Sequence, residues 1–407
     1  MAGTTRNICI FAKAMNAHRG GKFRWPFSIV AQELATLGHE VTVITTAHPD
    51  GKTEREDEAG VPVHYLAGTK PEKPDAAFWR RSAELFDRLH RERPFDIVMG
   101  RGTSPLGYSR LSSFARTLPV ILHEGTYPDW LQGYEIRPRI GGTIRRKLHA
   151  RLHAATHRDL SESMIGASLI VCNSPALARG LRQAYWWEKV ETAYIPYGFD
   201  TSFTQQQAGE VPPALEALLR NGQRYVVYLG RITKAKGAFD LVAIAAASRN
   251  RDLAIVAMGG ASDETLSKLK AAAQAKGVGD RLILPGPVAH SALPKVLGKA
   301  EAFLFPSVHP ESLPKAAMEA MACGLPVLAY RLPAFEGLVD DGVEGFLVPA
   351  GHSGELAAAL DRLLDDPTLA RQIGKAAARC IETDFSPATA AHLWQEALDK
   401  VTAEFSA

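Results

Sequence analysis

Residues 309–330 read HPESLPKAAMEAMACGLPVLAY, with two glutamates, Glu311 and Glu319, eight positions apart. Pro314 between them suits the first turn of a helix, and Gly324-Leu325-Pro326 after them suits its end. The stretch predicts a strand over 302–305, a loop carrying Glu311, a helix over 314–322 and a strand over 327–330. A helix so placed aims its unpaired N–H groups beyond the strand ends, where they favour an anion, phosphate above all. Glu311 is expected at the mouth of that cradle, and Glu319 about one and a half turns into the helix. One carboxylate then serves the near end of a ligand and the other a more distant hydroxyl.

The same alternation of short apolar runs and helical periods fills the rest of the chain. On the N-terminal side, strands are predicted over 7–13, 40–45, 61–66, 96–100, 120–123, 169–173 and 191–195. Helices are predicted there over 27–37, 78–91 and 175–185. The polar stretch TQQQAGEVPP (204–213) has the composition of a linker. Beyond it the pattern restarts with strands over 225–229, 253–258, 281–284 and 345–348. Helices over 239–247, 262–276, 354–364, 369–382 and 385–401 accompany them. β-rich runs separated by helices argue for parallel sheets covered on both faces, an α/β fold. The linker sets the domains at 1–204 and 214–384, the last helix (385–407) returning to the first domain. Two such domains present their strand C-termini to a shared cleft, where α/β folds bind ligands.

At 407 residues the chain suits two domains rather than one core. A net charge of +3 is too small to argue for nucleic acid as a partner. The four cysteines (Cys9, Cys172, Cys323 and Cys380) lie far apart without C-x-x-C spacing. That argues against zinc and for buried free thiols in a reducing compartment. The first apolar stretch, residues 8–12, is too short for a signal-peptide core, and no run reaches bilayer-spanning length. A cytoplasmic protein, at most attached to the inner face of a membrane, is expected.

The second domain opens with YLGRITKAKG (228–237), in which Gly230 ends a strand and Arg231 and Lys236 follow on the loop. Two fixed cations at a strand tip, beside the helix start near Pro314, make a site for a diphosphate. Gly230-Arg231…Lys236-Gly237, followed by Glu311-x7-Glu319-Ala320-Met321-Ala322-x-Gly324-x-Pro326-Val327, resembles the retaining glycosyltransferases of family 4. Gly20-Gly21 after the first strand, LATLGHEVTVIT (34–45) and IPYGFDTSF (195–203) extend the resemblance over nearly the whole chain. It implies the two-Rossmann architecture called GT-B, a nucleotide-sugar donor, a glycan or lipid-linked acceptor, no cofactor and no metal. An Asp-x-Asp that would suggest a metal-dependent transferase is absent from the sequence.

The resemblance also implies roles. Arg231 and Lys236 neutralise the departing diphosphate, helped by backbone N–H groups around Ser312, Leu313 and Lys315. Glu311 contacts the donor sugar and Glu319 the nucleotide ribose. Gly20 and Gly21 let the backbone approach the phosphates. His123 stands near the donor sugar, and Gly286, Pro287 and Val288 hold the base through backbone contacts. Glu124 ranks low as an acceptor contact, because neighbours on a strand point to opposite sides. Many relatives carry Phe-Gly or Phe-Pro where this chain has Leu313-Pro314; Pro314 has no N–H, so contacts there must come from adjacent amides. The reaction implied is retaining, a hexosyl-type sugar leaving with front-side attack by an acceptor hydroxyl, in cell-surface polysaccharide or glycolipid synthesis. Alternatives are a GT-B epimerase or phosphorylase, or a non-catalytic nucleotide-sugar binder. A nicotinamide dehydrogenase is disfavoured, since no G-x-G-x-x-G follows either first strand.

From Arg137 to Arg158 there are seven Arg or Lys residues and no acid. Ile144, Leu148 and Leu152 recur every four residues, predicting a helix over 143–156 with a narrow apolar stripe and a basic flank. Peripheral contact with anionic lipid, a pocket for a phosphorylated acceptor, and a half-buried helix with a solvated face are all open readings. Tyr185-Trp186-Trp187 either adds interfacial aromatics or packs.

Overall fold

The computed structural model describes residues 4–19, 26–125, 142–205 and 209–406. The chain divides into two compact units, Met1–Gly198 with Pro387–Ala407, and Phe199–Ser386.

The first unit is built on β1 (Asn7–Ala12), β2 (Glu40–Thr45), β3 (Arg55–Glu58), β4 (Val61–Tyr65), β5 (Ile97–Gly100), β6 (Val120–Glu124), β7 (Leu169–Cys172) and β8 (Thr192–Tyr194). Their order in the sheet is β3-β4-β2-β1-β5-β6-β7-β8. Neighbours run parallel, as in Ile8 beside Val41 and Ile97, except that β3 pairs antiparallel with β4 at the edge. The central strands are apolar almost without interruption because both sheet faces are covered. Cys9 and Phe11 enter one core with Phe78, Phe86 and Tyr108. Ile8 and Ile10 enter the other, where Trp394, Ala397, Leu398 and Val401 of the C-terminal helix Pro387–Ser406 complete the packing. Spacing of three and four along that helix makes the apolar stripe that docks.

The second unit holds a six-stranded parallel sheet of β9 (Tyr225–Leu229), β10 (Ala254–Met258), β11 (Leu282–Gly286), β12 (Phe303–Phe305), β13 (Val327–Tyr330) and β14 (Gly345–Val348). The order β11-β10-β9-β12-β13-β14 reverses direction between β9 and β12. Connections on either side of that point leave in opposite directions, opening a crevice beyond the carboxyl ends of these two strands. Gly237 keeps the loops there close: its φ is +79°, and a Cβ would fall on the carbonyl oxygen of Pro306 after β12.

The structure departs from the sequence reading in several places. Strand β3 (REDE) is entirely charged and pairs through its backbone, so no apolar alternation announces it. The helix Pro213–Asn221 begins within the stretch read as linker. The C-terminal helix starts at Pro387 rather than 385; Phe385 instead lies in the core of the second unit, its carbonyl accepting from the Phe199 N–H at 2.7 Å. Cys9 and Cys172 are buried, but Cys323 and Cys380 are only partly so. No helix among the described residues is long and apolar enough to cross a membrane.

Candidate functional site

Strand β9 ends at Leu229, Gly230 follows with φ +149°, and the Tyr228 hydroxyl donates to the Arg231 carbonyl at 2.8 Å, holding the turn. The Ile232 N–H donates to Gly260 (2.9 Å) and the Lys236 N–H to the Thr233 carbonyl (3.2 Å), so the loop is braced along its length. From the β12 side, the Val308 N–H donates to the Ala235 carbonyl at 3.0 Å, tying the two loops at the switch point together. That bracing brings Lys236 and Glu311 side by side as an ion pair, their side chains 15% and 19% exposed. His309 Nδ1 stands 3.8 Å from the same carboxylate oxygen. Burial, and secondarily the Arg231 guanidinium, push the Lys236 ammonium down to about 8. Arg231 itself is exposed.

After Glu311, Ser312 and Pro314 are buried, Leu313 packs half-buried on the core, and Lys315 is exposed. The helix runs Lys315–Ala322, with Pro314 as its N-cap residue (φ −76°, ψ 89°) rather than within the first turn. Proline has no N–H to leave unpaired there, and its carbonyl accepts from Ala317 (2.9 Å) and Met318 (3.2 Å). Glu319 is buried in this helix, its Oε1 3.1 Å from His290 Nε2. A carboxylate only accepts, so Nε2 carries the proton of that bond. Gly286 ends β11 with its carbonyl accepting from the Gly259 N–H (3.0 Å); Pro287 is exposed and Val288 packs on the core. Lys236 and Glu311 are thus brought into contact, with Arg231 close enough to act on Lys236. His290 is a residue the sequence reading missed, since a single histidine 29 positions from its partner carries no local signal.

His123 belongs to the first unit. It is buried on β6, its ring 5.2 Å from Tyr197 and 5.9 Å from Trp394. Burial, then Arg101, push it down to about 3, so it is neutral at working pH. Glu124 beside it is also buried; it accepts from the Gly102 N–H at 2.8 Å and lies 3.7 Å from Arg101 Nε. Burial raises its pKa, against the opposing charges of Arg101 and Lys13. Lys13 and Arg101 follow β1 and β5, where this sheet reverses its order. Gly20 and Gly21 lie outside the described residues.

The basic segment forms the helix Gly142–Thr156; residues 137–141 and the side chain of Ile144 lie outside the description. Leu148 and Leu152 are 68% and 62% exposed, which speaks against the half-buried reading at these two positions. The Arg151 guanidinium lies 5.2 Å from the ring of Trp186 and 5.5 Å from that of Trp187, while Tyr185 is buried.

The description "Glycosyl transferases group 1" matches residues 216–379, and "Glycosyl transferase 4-like domain" matches residues 28–198, so the two matches divide between the two units. The chain belongs to the family-4-like glycosyltransferases. A D-inositol 3-phosphate glycosyltransferase of Arthrobacter sp. (strain FB24) is 28% identical to this glycosyltransferase over 377 residues, 86% of this chain and 83% of the relative. A 2-deoxystreptamine N-acetyl-D-glucosaminyltransferase of Streptomyces fradiae is 31% identical over 148 residues, 36% of this chain and 35% of the relative. Among solved structures, a sucrose-phosphate synthase from Thermosynechococcus elongatus superposes with a TM-score of 0.71 at 19% identity, covering 98% of this chain and 100% of that one. Anabaena Alr3699/HepE, solved in complex with UDP and glucose, gives 0.68 at 19% identity, covering 97% and 100%. The fold of the glycosyltransferase is GT-B, with two parallel-sheet α/β units.

Proposed function

We propose that this glycosyltransferase moves a hexosyl-type sugar from a nucleoside diphosphate to an acceptor hydroxyl with retention, without a metal or other cofactor. The observation that carries the reading is the Lys236–Glu311 pair at the β9/β12 switch point, with Arg231 beside it and the helix Lys315–Ala322 following. The arriving diphosphate replaces the carboxylate as partner of Lys236, with Arg231 adding the second cation. Backbone N–H groups around Ser312, Leu313 and Lys315 add donors to the leaving phosphate. Glu311 is then free to accept from sugar hydroxyls, and Glu319 from the ribose. Gly230, Gly286, Pro287 and Val288 line the nucleotide through backbone. His123 is neutral and supports the reacting centre as a dipole, not as a proton carrier.

In the chemical step the bond between the anomeric carbon and the diphosphate oxygen breaks, its electrons staying on phosphate. The acceptor oxygen bonds the same face of that carbon, and its proton passes to the departing phosphate. Each fixed donor in a dry site contributes roughly 100- to 1000-fold to rate. Incubating UDP-, GDP- and ADP-hexoses with a hydroxyl acceptor and EDTA tests the reading, with the product anomer read by NMR. An inverted product, or turnover abolished by EDTA and restored by a divalent ion, overturns it. Product formed from donor alone would instead favour the epimerase.

The acceptor is proposed to be a glycan or lipid-linked sugar of a cell-surface polymer, met at the cytoplasmic face of a membrane. Exposed Leu148 and Leu152, with Arg151 against Trp186, support contact with anionic lipid. Co-sedimentation with vesicles containing phosphatidylglycerol at low salt tests this, and its absence removes it. A second acceptor reading is favoured by Lys13 and Arg101 after adjacent strands of the first unit, and by the first relative's name: a phosphate-bearing polyol such as inositol phosphate.

A further inference from the structure

The buried carboxylate of Glu319 makes its 3.1 Å contact with His290 Nε2 through one oxygen, Oε1. The imidazole itself is half exposed, yet it is not an idle surface group. One ring nitrogen is engaged by the carboxylate, and the ring sits 4.8 Å from that of Phe203, tilted by 44°. Phe203 is buried in the turn Thr201–Gln205 and packs edge-on against Phe199 at 5.9 Å. His290 is therefore held by a hydrogen bond to the carboxylate on one side and by the buried Phe203 ring on the other. It also follows Gly286 and Val288 in the chain, between the loop proposed to hold the base and the carboxylate proposed to hold the ribose.

We infer that His290 is a positioning residue for a nucleotide's ribose, engaging one Glu319 oxygen so that the other is presented to the 2′- and 3′-hydroxyls. The inference rests on the proposed reading of Glu319 as the ribose contact. A carboxylate held by one oxygen has one remaining acceptor in a set direction, which suits a vicinal diol better than a freely rotating group does. Phe203 supplies the second restraint, so the segment leading into this unit bears directly on the nucleotide contact.

The test is calorimetric titration of the full-length protein with UDP and with 2′,3′-dideoxy-UDP, then with the ADP and GDP pairs. Wild type is expected to prefer the ribose form by on the order of ten- to hundredfold. Glu319→Gln should lose most of that preference. His290→Ala should weaken the ribose form by roughly five- to tenfold, leave the dideoxy form unchanged and keep the melting temperature, because only presentation is lost. His290→Gln, which keeps a donor of similar reach, should restore the preference, an outcome that a merely structural role would not produce. Full discrimination in His290→Ala alongside its loss in Glu319→Gln overturns the inference while leaving Glu319 in place. Tighter nucleotide binding by His290→Ala overturns it too, marking the imidazole as a plug. If wild type shows no preference, or binds none of the three diphosphates, the reading of Glu319 falls and takes this one with it.

Discussion

Lys236 holds its proton with a pKa of about 8, against 10.5 for an ordinary lysine, because burial and then Arg231 disfavour the ammonium. Raising the pH is accordingly a clean perturbation of the proposed diphosphate contact. The charged fraction is roughly nine-tenths at pH 7, one half at pH 8 and one-tenth at pH 9. If the ammonium is what the donor meets, kcat/KM falls about tenfold per pH unit above the limb, which reports the free enzyme. The bound diphosphate carries more negative charge than the single carboxylate it replaces and favours the ammonium, so the limb in kcat lies higher than that in kcat/KM. Lys236→Arg keeps its charge throughout, so its profile should stay flat to pH 10, at a lower plateau because the planar fork fits differently. Nucleoside diphosphate release at subsaturating donor, from pH 6 to 10, measures both. A wild-type profile flat to pH 10, or a limb unchanged in the arginine variant, refutes the reasoning. Stability moves the other way. The unfolded chain holds this proton more tightly than the folded one, so folding is penalised below pH 8 and relieved as pH rises towards 10.5. Activity and melting temperature should thus diverge between pH 8 and 10.

Removing the carboxylate with Glu311→Ala should lower turnover by roughly 100-fold or more with little change in melting temperature, measured by donor consumption and calorimetry. Gly237→Ala places a Cβ against the Pro306 carbonyl at positive φ, and should destabilise the protein by about 2 kcal/mol or more in urea unfolding. Trp394→Ala removes a fully buried ring from the first unit's core and should cost about 3–5 kcal/mol by the same measurement. His123 has a folded pKa of about 3 against 6.5 unfolded, so the unfolded chain takes up a proton first. Stability should fall as pH drops from 6.5 towards 3, and less steeply in His123→Asn.

Much of this was legible in the sequence because parallel strands buried on both faces are written as apolar runs. YVVYL and VLAY were bounded to the residue, and most other elements to within one or two positions. What escaped was held by backbone or by distance. REDE pairs through its peptide groups and carries no apolar signal. The helix Arg158–Ile165 follows its predecessor after one residue, leaving no turn chemistry to mark a boundary. At the site, Lys236, Glu311 and Glu319 were readable as a motif, but their protein partners were not. The motif marks Glu311 only as a ligand contact, whereas the carboxylate also meets Lys236, and Glu319 meets His290. Leu148 and Leu152 show the limit of periodicity, which announces a stripe without saying whether protein covers it.

The crossing at Gly198 and Pro387 has a consequence for how such enzymes diversify. Within the second unit, Phe199 and Phe385 are hydrogen-bonded at its two ends, so the segment 199–386 enters and leaves at one place. On the first unit's side, a Cβ on Gly198 would lie 2.8 Å from Pro387 Cα, so the two cut ends there nearly touch as well. The half proposed to bind the donor is therefore a genetic cassette with a single socket. On that proposal, recombination that trades 199–386 between relatives would alter which activated sugar is spent while leaving the other unit, including its closing helix, intact.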